Sequence, residues 1–360
     1  MIDAAAPPIV SVVIPGYNGA ALIGETLDSL TRQTLTAWEA LVVDDCSADD
    51  TRALVRNWPD PRVRLIENEV NSGPVRTRNR GFAAARGRYW AGLDQDDLCR
   101  PERLAKQVAY LDAHADVALL GTQAEQLLDG RVRPMAYAPH TTPALIHWLS
   151  WIENPLVWST VMVRAEAARR LVPFTRPEIL YAEDFDLYHR MARIGRIARL
   201  DEPLLVYRQH AGGASKRFTE TMRASATRVL AEAHGDVFGD AAEAIARLLV
   251  VHNMGGEPVT DRATLRRLGE AMTRLQSEFC ARHAPDRESR KLIRWETARR
   301  WGAVGRAALR CGSLSLRDLV ATRPAHLGLG YAGLDVLLMS GGIGAARRFK
   351  QARSPQIFAE

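Results

Sequence analysis

Asp94, Asp96 and Asp97 place three carboxylates within four residues, directly after the segment 88–93. So many negative charges at the end of a strand repel one another unless a cation lies between them. Mg²⁺ is usually held by one or two carboxylates together with phosphate oxygens, so a divalent ion that bridges a diphosphate fits this run. The alternative is an acidic turn in which Asp97 caps the helix expected after Pro101.

The elements that position this run alternate between strand and helix over the first 120 residues. Short, nearly continuous apolar runs predict buried strands at residues 9–14, 39–43 and 62–66, and another that ends at Leu93. Apolar residues at helical spacing predict helices at 20–35, 49–58 and 74–85. This alternation with short connections predicts an α/β fold, in which a parallel sheet is covered on both faces.

Chemically distinctive residues fall at the carboxyl ends of these strands. Tyr17 and Asn18 follow the first strand, Asp44 and Asp45 end the second, and the acidic run 94–97 follows the strand that ends at Leu93. Open parallel sheets bind ligands beyond the carboxyl ends of their strands. Residue type and topology together predict a ligand site at this edge.

The composition, 47% hydrophobic and 25% charged, is typical of a soluble globular protein, and 360 residues suffice for one large or two ordinary domains. The cysteines are scattered with no C-x-x-C pair, which argues against a zinc site or a disulfide framework and fits a reducing compartment. The first residues lack the basic region of a signal peptide, and no uncharged apolar stretch of about 18 residues predicts a transmembrane helix. We therefore expect a cytoplasmic protein.

The net charge of +6 belongs to the C-terminal part of the chain. Residues 211–360 carry 24 Lys and Arg against 15 Asp and Glu, a net of +9, and the other 210 residues carry 24 against 27. A basic segment suits an anionic partner such as membrane phospholipid, although arginines also simply solvate helices. Beyond Lys216 the sequence is mostly Ala, Leu and Arg at helical spacing, so we predict a domain at 1–215 and a basic, mainly helical region at 216–360.

An ordered series of segments resembles glycosyltransferase family 2, whose members have the GT-A fold and use nucleotide-activated sugars. The segments are 11–18 (a strand, then Pro-x-Tyr-Asn), 27–34 (a helix ending in Gln-Thr), 43–49 (Val-Asp-Asp-x-Ser-x-Asp), 71–79 (Asn-x-Gly, then Arg-Asn), 93–101 (Asp-x-Asp, then Pro), 181–184 (Glu-Asp) and 207–210. The resemblance covers roughly residues 9 to 212 and is specific as a series, whereas the region after it resembles no family that we can name.

The resemblance implies a GT-A domain, with a Rossmann-like, mostly parallel sheet flanked by helices, followed by the helical region. It also implies a set of nucleotide-binding residues: Pro15, Tyr17, Asn18, Asp44, Asp45, Arg76 and Asp94. Within this set, Asp45 accepts a hydrogen bond from the uracil or other base of the donor, and Asp44 supports Asp45 and the ribose. The alternatives are that Asp45 or Ser47 caps the helix at 49–58, and that Arg76 is merely exposed.

By the same resemblance, Asp96 binds Mg²⁺ or Mn²⁺ directly. Asp94 reaches the ribose or a metal-bound water, and His210 approaches the diphosphate or the metal. Cleavage of the sugar–phosphate bond leaves a diphosphate with extra negative charge, which a divalent ion neutralises as a Lewis acid. The alternative for His210 is an ordinary surface histidine.

Asp184 is the predicted catalytic base, and its neighbour Glu183 is the residue that could substitute for it. An acceptor hydroxyl must lose its proton as it attacks the anomeric carbon, and one carboxylate within hydrogen-bond reach suffices. Consecutive helical side chains diverge by about 100°, so only one of the two points into the site. The alternative is that both cap a helix at 185–194. A single base opposite the leaving group predicts inversion at the anomeric carbon, by analogy with the family.

The leading hypothesis is a metal-dependent inverting glycosyltransferase that acts in cell-surface polysaccharide or glycolipid assembly. It moves a sugar from a nucleoside-diphosphate donor, a UDP-sugar first among them, to a hydroxyl of a glycan or glycolipid. The alternative is a catalytically inactive nucleotide-sugar-binding or scaffolding protein, which the intact Asp94, Asp96 and Asp184 disfavour. A nucleotidyltransferase would need a glycine-rich loop with a lysine soon after the first strand, and residues 16–22 contain no lysine. A dinucleotide-dependent oxidoreductase would need a G-x-G-x-x-G motif there, which is also missing. No nucleic acid partner is expected, because such binding leaves the acidic motifs unexplained.

An acceptor on a lipid carrier would place the protein peripherally at the inner membrane face. In that arrangement Trp295 and Trp301 sit at the interface while nearby cations face lipid phosphate. Those cations are Arg290, Lys291, Arg294, Arg299 and Arg300. The alternative is that this helix packs on the catalytic domain.

No motif encodes the donor sugar. Its selection depends on the pocket between Asp94 and Asp184. We expect that pocket to include Trp151, Glu153, Asn154 and Trp158.

Overall fold

A computed structural model of the chain describes residues 7–135, 138–210, 212–324 and 334–353. The chain divides into two compact units, one formed by Met1–His147 and Pro155–Ser225, the other by Trp148–Asn154 and Ala226–Glu360. The end of the catalytic part at residue 215 stays a prediction, because compactness alone does not say which residues act in catalysis.

A single mixed sheet forms the centre of the first unit. Its strands are β1 (Val10–Gly16), β2 (Trp38–Asp44), β3 (Val63–Glu67), β4 (Tyr89–Gly92), β5 (Leu98–Cys99), β6 (Val117–Leu128), β7 (Arg131–Pro134), β8 (Met162–Arg164) and β9 (Arg196–Arg208). They lie in the order β3-β2-β1-β4-β8-β6-β9-β5, and β7 pairs with β6. Strands β1 to β4 are parallel to one another, as the sequence predicts.

The strands beyond β4 change direction. β8 is antiparallel to both β4 and β6, β9 is parallel to β6, and the short β5 is antiparallel to β9. The α/β fold class is confirmed, with a sheet that is parallel on one side and mixed on the other. The pairing of β9 with β5 brings residues 208–210 next to the acidic run, which lies between β4 and β5.

Helices cover both faces of this sheet. In chain order they are α1 (Ile23–Thr31), α2 (Thr51–Arg56), α3 (Pro74–Ala83), α4 (Arg103–Ala113), α5 (Pro143–Ser150), α6 (Ala165–Ala168), α7 (Glu183–Met191) and α8 (Ala214–Arg217). Val12 and Val42 pack with Leu27 in one core cluster, whereas Val13 and Phe82 belong to the cluster on the opposite face. Because successive side chains of a strand point to opposite faces, burial on both sides explains the continuous apolar runs.

The second unit is helical, as the sequence predicts. Its helices are α9 (Thr219–Phe238, which begins in the first unit), α10 (Ala242–Leu248), α11 (Arg262–His283), α12 (Arg287–Cys311), α13 (Leu316–Thr322) and α14 (Leu334–Arg353), with a π-helical turn at Leu249–Met254. Asp261 and Asp286 cap the starts of α11 and α12, and Ser315 forms a capping box with Asp318 at α13. Across the described ranges, no helix has the length and apolarity needed to cross a membrane.

Trp148, near the end of α5, and Trp151, just after it, belong to the second unit. The Trp151 ring lies 5.2 Å from that of Phe279, and the Trp148 indole N–H donates to the Thr297 hydroxyl at 3.0 Å. Glu153 pairs with Arg300 at 2.6 Å. The side chains of Trp151 and Glu153 are therefore held within the core and ion pairs of the helical unit, and their part in a sugar pocket with Asp94 stays a prediction.

The proposed membrane face of α12 is corrected. Trp301 is buried, and Arg299 pairs with Glu296 on its own helix at 2.9 Å. Arg300 lies between Glu296 and Glu153 and is nearly buried. Trp301 and Arg300 are enclosed and cannot sit at a lipid interface, so the prediction is wrong for these two residues.

His234 on α9 is enclosed by the same aromatic core. Its Nε2 lies 2.7 Å from the Trp151 carbonyl oxygen, and Nδ1 has no hydrogen-bond partner within the described part of the chain. Burial lowers the pKa of His234 from 6.5 to about 4. The ring is therefore neutral in the folded protein at pH values where it is already protonated in the unfolded chain.

We expect the free energy of unfolding to fall as the pH drops from 7 to 5. The unfolded chain binds the proton at about pH 6.5 and the folded chain only at about pH 4, so the loss lies between these values. Between pH 7 and 5 the effect of this histidine is about 2 kcal/mol. Urea denaturation of the wild type and of His234→Gln at both pH values checks this. An equal pH dependence of the two proteins would contradict it.

Candidate active site

Three loops meet at the carboxyl edge of strands β1, β2 and β4. Asn18 has a left-handed backbone with φ of +46°, and its N–H donates to the Ser47 hydroxyl at 2.9 Å. Its side-chain oxygen accepts from the Ala48 N–H at 2.8 Å. Gln95 accepts from the Tyr17 N–H at 3.0 Å and donates to the Tyr17 carbonyl at 3.1 Å. The loops are thus fastened to one another by side chains of the motif residues.

Asp45 is buried and accepts three hydrogen bonds. They come from the Asn68 side-chain N–H at 2.7 Å and from the Ser72 and Gly73 backbone N–H groups at 2.8 Å each. Asp45 therefore fixes the segment that leads into α3. The residue at the N-cap position of α2 is Asp50, so neither Asp45 nor Ser47 caps this helix.

Asp44 lies at the end of β2, fully buried. It accepts from the Ser47 N–H at 2.9 Å. This bond shapes the turn after β2, in which Cys46 takes a φ of +66°. Pro15, one residue before the end of β1, pairs with Val43 on β2.

A cavity of about 410 Å³ lies beside Asp45. Arg76 is exposed at its wall, together with Arg80, and the partners of Asp45 form part of the lining. The lining residues are Asn68, Glu69, Val70, Ser72, Arg76 and Arg80. A concave site with two arginines and several amide groups suits an anionic, hydrogen-bonding ligand. Asn68 was missed by sequence reasoning, since a single asparagine outside the quoted segment carries no signal.

Arg78 on α3 is the buried cation of the site. It forms a close ion pair with Glu183 and lies 3.4 Å from the Asp94 carboxylate. Its guanidinium stacks on the Trp158 ring at 4.4 Å. Gly92 makes room for that indole, because a Cβ there would lie 2.4 Å from it. The sequence placed Arg78 in a family segment but gave it no role, because only the fold shows that both carboxylates face it.

Burial and neighbouring charge shift the titration of this cluster. The pKa of Asp94 is raised from 3.8 to about 6. Burial is the largest cause, the charge of Arg78 opposes it, and the charges of Asp96 and Glu183 add to it. Burial alone would lower the pKa of Arg78, but the charges of Glu183, Asp94 and Asp184 raise it above its ordinary value. Asp184 therefore lies close enough for its charge to act on the same guanidinium.

Asp97 has a structural role at the base of the acidic run. Its carboxylate accepts from the Arg208 backbone N–H at 2.9 Å, which ties the run to β9. Burial, with the nearby charges of Asp94 and Asp96, raises the pKa of Asp97 well above its ordinary value. Helix α4 begins after Glu102, so Asp97 does not cap it.

Asp96, in the acidic run, lies in contact with His210. The His210 Nε2 is 2.7 Å from an Asp96 carboxylate oxygen, and the Arg208 Nε donates to the Asp96 carbonyl at 2.9 Å. The described residues contain no group of three or more side chains arranged to hold a metal ion. One carboxylate and one imidazole nevertheless fit a divalent ion whose other ligands are phosphate oxygens and water.

Glu183 and Asp184 begin α7 in different surroundings. Glu183 is buried against Arg78, whereas Asp184 is half-buried and accepts from the Phe185 N–H at 2.7 Å. The residue before α7, Ala182, cannot cap the helix with its side chain. The two carboxylates therefore diverge, as helical geometry predicts.

Comparison with known proteins agrees with this architecture. The family model described as glycosyl transferase family 2 matches residues 11–172. The putative glycosyltransferase EpsE of Bacillus subtilis is 30% identical over 215 residues, which cover 58% of this chain and 76% of EpsE. The chain belongs to glycosyltransferase family 2. The family that the sequence motifs indicate is thereby confirmed.

Two further relatives of this family 2 chain are named for succinoglycan biosynthesis and for glucosyl transfer. The succinoglycan biosynthesis protein ExoO of Rhizobium meliloti is 45% identical over 34% of this chain and 36% of ExoO. The Escherichia coli protein WfgD, a UDP-Glc:α-D-GlcNAc-diphosphoundecaprenol β-1,3-glucosyltransferase, is 37% identical over 29% of this chain and 41% of WfgD. The match thus spans less than half the length of each of these two relatives.

Solved structures with the same fold support the GT-A assignment. S. aureus TarS, in complex with UDP-GlcNAc, superposes with a TM-score of 0.52 at 18% identity, over 96% of this chain and 93% of that structure. The mannosyltransferase PcManGT of Pyrobaculum calidifontis, with GDP-Man and Mn²⁺, gives 0.51 at 18% identity, over 97% and 89%. At this identity the likeness of the family 2 chain to both structures establishes the fold.

Replacement of Arg78 by Met is expected to lower the free energy of unfolding by about 3 kcal/mol, because it leaves Glu183 and Asp94 without the cation between them. Arg78→Lys keeps the charge and should lose less. The matched control is Arg88→Met, which breaks the exposed pair with Asp112 and should cost less than about 1 kcal/mol. Urea denaturation at neutral pH measures all three. Equal losses for Arg78→Met and Arg88→Met would contradict the central role of Arg78.

Proposed function

We propose that this chain is a metal-dependent inverting glycosyltransferase that takes its sugar from a nucleoside-diphosphate donor, a UDP-sugar first among them. The acceptor is a hydroxyl of a glycan or glycolipid in cell-surface polysaccharide or glycolipid assembly. The observation that carries the proposal is the pairing of Asp96 with His210 beside the Asp94–Arg78–Glu183 cluster, at the carboxyl edge of a family 2 sheet.

The cavity beside Asp45 is the proposed site of the nucleotide base. Arg76 is exposed at its wall, and Tyr17 and Asn18 lie on the adjoining loop. The relatives favour this class of donor, since TarS and PcManGT were solved with UDP-GlcNAc and GDP-Man and WfgD is named for UDP-Glc. In this proposal Asp94 approaches the ribose.

Asp96 and His210 are the proposed protein ligands of Mg²⁺ or Mn²⁺, and Asp94 contributes through a bound water. When bound, the ion neutralises the charge that develops on the departing diphosphate. Aspartate oxygen and imidazole nitrogen suit Mn²⁺, and PcManGT was solved with this ion.

Asp184 is the proposed catalytic base. Glu183 is buried and held in an ion pair with Arg78, which makes it a weaker proton acceptor, whereas Asp184 is half-buried and keeps part of its surface open to an incoming hydroxyl. The acceptor oxygen attacks the anomeric carbon, its proton passes to Asp184, and the bond to the diphosphate breaks with its electrons on the leaving oxygen. Attack opposite the leaving group inverts the anomeric centre.

The proposed location is the cytoplasm, with contact at the inner membrane face, where a lipid-linked acceptor is reached. WfgD, by its name, acts on a diphosphoundecaprenol acceptor, which favours this arrangement. The basic C-terminal region supplies the charge for such a contact.

Asp96→Ala is expected to abolish the metal dependence of donor binding, because one of the two proposed protein ligands is removed. Calorimetric titration of a panel of UDP-, GDP- and dTDP-sugars, with Mn²⁺, with Mg²⁺ and with chelator, measures this and identifies the donor. Asp116→Ala, which breaks an exposed pair with Arg196, is the matched control and should bind normally. Equal metal-dependent binding by Asp96→Ala and wild type would contradict the assignment of Asp96.

Asp184→Asn is expected to lower kcat by about 10² to 10⁴-fold while the donor Kd stays unchanged, since the base acts only on the acceptor. Glu183→Gln should instead lower stability, because it removes a charge facing Arg78. Proton NMR of the first product reads the anomeric configuration at the same time. Retention of configuration, or a fully active Asp184→Asn, would overturn the mechanism. Intact donor binding without any turnover would favour a scaffold.

A further inference from the structure

The first turns of α14 expose an apolar surface to solvent. Leu338 and Met339 are 61% and 66% exposed, and Val336 and Ile343 are more than a third exposed. Large apolar side chains exposed singly are ordinary, but four on one helix form a patch, and such patches mark interaction sites. We call these four residues the α14 patch.

The opposite side of α14 is fixed against the helical unit. Leu337, Ser340 and Gly344 are buried, and they recur at helical spacing. Gly344 lies so close to α12 that a Cβ on it would be 1.9 Å from the Leu309 carbonyl oxygen. Because this contact sets the rotation of α14 about its axis, the α14 patch faces away from the core of its own unit.

The charge that follows the α14 patch is of one sign. Residues 336–353 contain no acidic residue and four basic ones, Arg347, Arg348, Lys350 and Arg353. Arg347 is exposed, and its guanidinium donates to the carbonyl of Arg310, another exposed cation, at 3.2 Å. The apolar patch is therefore continued by a cationic end.

We propose that α14 lies in the surface of an anionic phospholipid bilayer, with the α14 patch inserted among the acyl chains and its cationic end at the lipid phosphates. Apolar side chains followed by cations are what helices in the plane of a membrane interface present, and α14 carries a single acid, Asp335, at its start. A second copy of this chain is a poorer occupant, because its α14 would bring the same four cations and one acid, Asp335, to pair with them. The membrane contact that the sequence suggested for α12 is thereby assigned to α14.

Sedimentation of the full chain with vesicles tests this. The vesicles contain either phosphatidylcholine alone or phosphatidylcholine with phosphatidylglycerol. We expect binding to the phosphatidylglycerol vesicles that weakens at high salt. Leu338→Ser with Met339→Ser should weaken it on the order of tenfold, because two inserted apolar side chains are lost. Arg348→Gln with Lys350→Gln should weaken it similarly and reduce the effect of salt.

The matched control is Leu54→Ser with Val132→Ser, which removes two exposed apolar side chains of the first unit and should bind vesicles as the wild type does. Circular dichroism confirms folding of each variant. Absence of wild-type binding, or equal binding by Leu338→Ser with Met339→Ser, overturns the proposal. A dimer in light scattering that this pair of substitutions dissociates, without vesicle binding, overturns it in favour of a second copy. Donor binding by the same variants is measured separately. A loss of vesicle binding with normal donor binding would therefore concern α14 alone and not the proposed catalysis.

Discussion

Several acidic side chains lie close together at the edge of the sheet where the parallel strands end. They are partly shielded from water, so their negative charges repel one another strongly. Arg78 is the cation between them. Its guanidinium reaches Glu183 from α7 and Asp94 from the loop after β4, while Trp158 covers its face. Separate parts of the chain can share this edge because one buried positive charge offsets several negative ones. The positions of Asp94 and Glu183 depend on it directly.

The half of the fold that the sequence predicts is the half with local, repetitive connections. Strands β1 to β4 are buried on both faces, so each appears in the sequence as a continuous apolar run followed by a helix. Apart from the local hairpin of β6 with β7, strands β5 to β9 pair across large sequence separations and in both directions. The spacing of apolar residues does not indicate the partner or direction of such a strand. The packing of Trp151 on Phe279 could not be predicted for the same reason, since an aromatic residue indicates burial but not the core in which it is buried.

The residues of the candidate site, too, were only partly predictable from the sequence. The family resemblance implies that Asp96 and His210 act at the same metal, and the structure places the two side chains in contact. Spacing did not reveal Arg78 or Asn68, because each acts through residues far away in the sequence. The exposed surface of α14 could not be predicted either, because the rotation of this helix depends on the contact of Gly344 with Leu309 on α12.

The hydrogen bonds of Asp45 have a thermodynamic consequence for ligand binding. Three N–H groups already hold this carboxylate, and two of them belong to the segment that lines the neighbouring cavity. A ligand that enters the cavity therefore meets a wall that is ordered before it arrives, and little conformational entropy remains to be lost on binding. Affinity at this site is then set by the contacts that the ligand makes, and only weakly by the cost of arranging the loop around it.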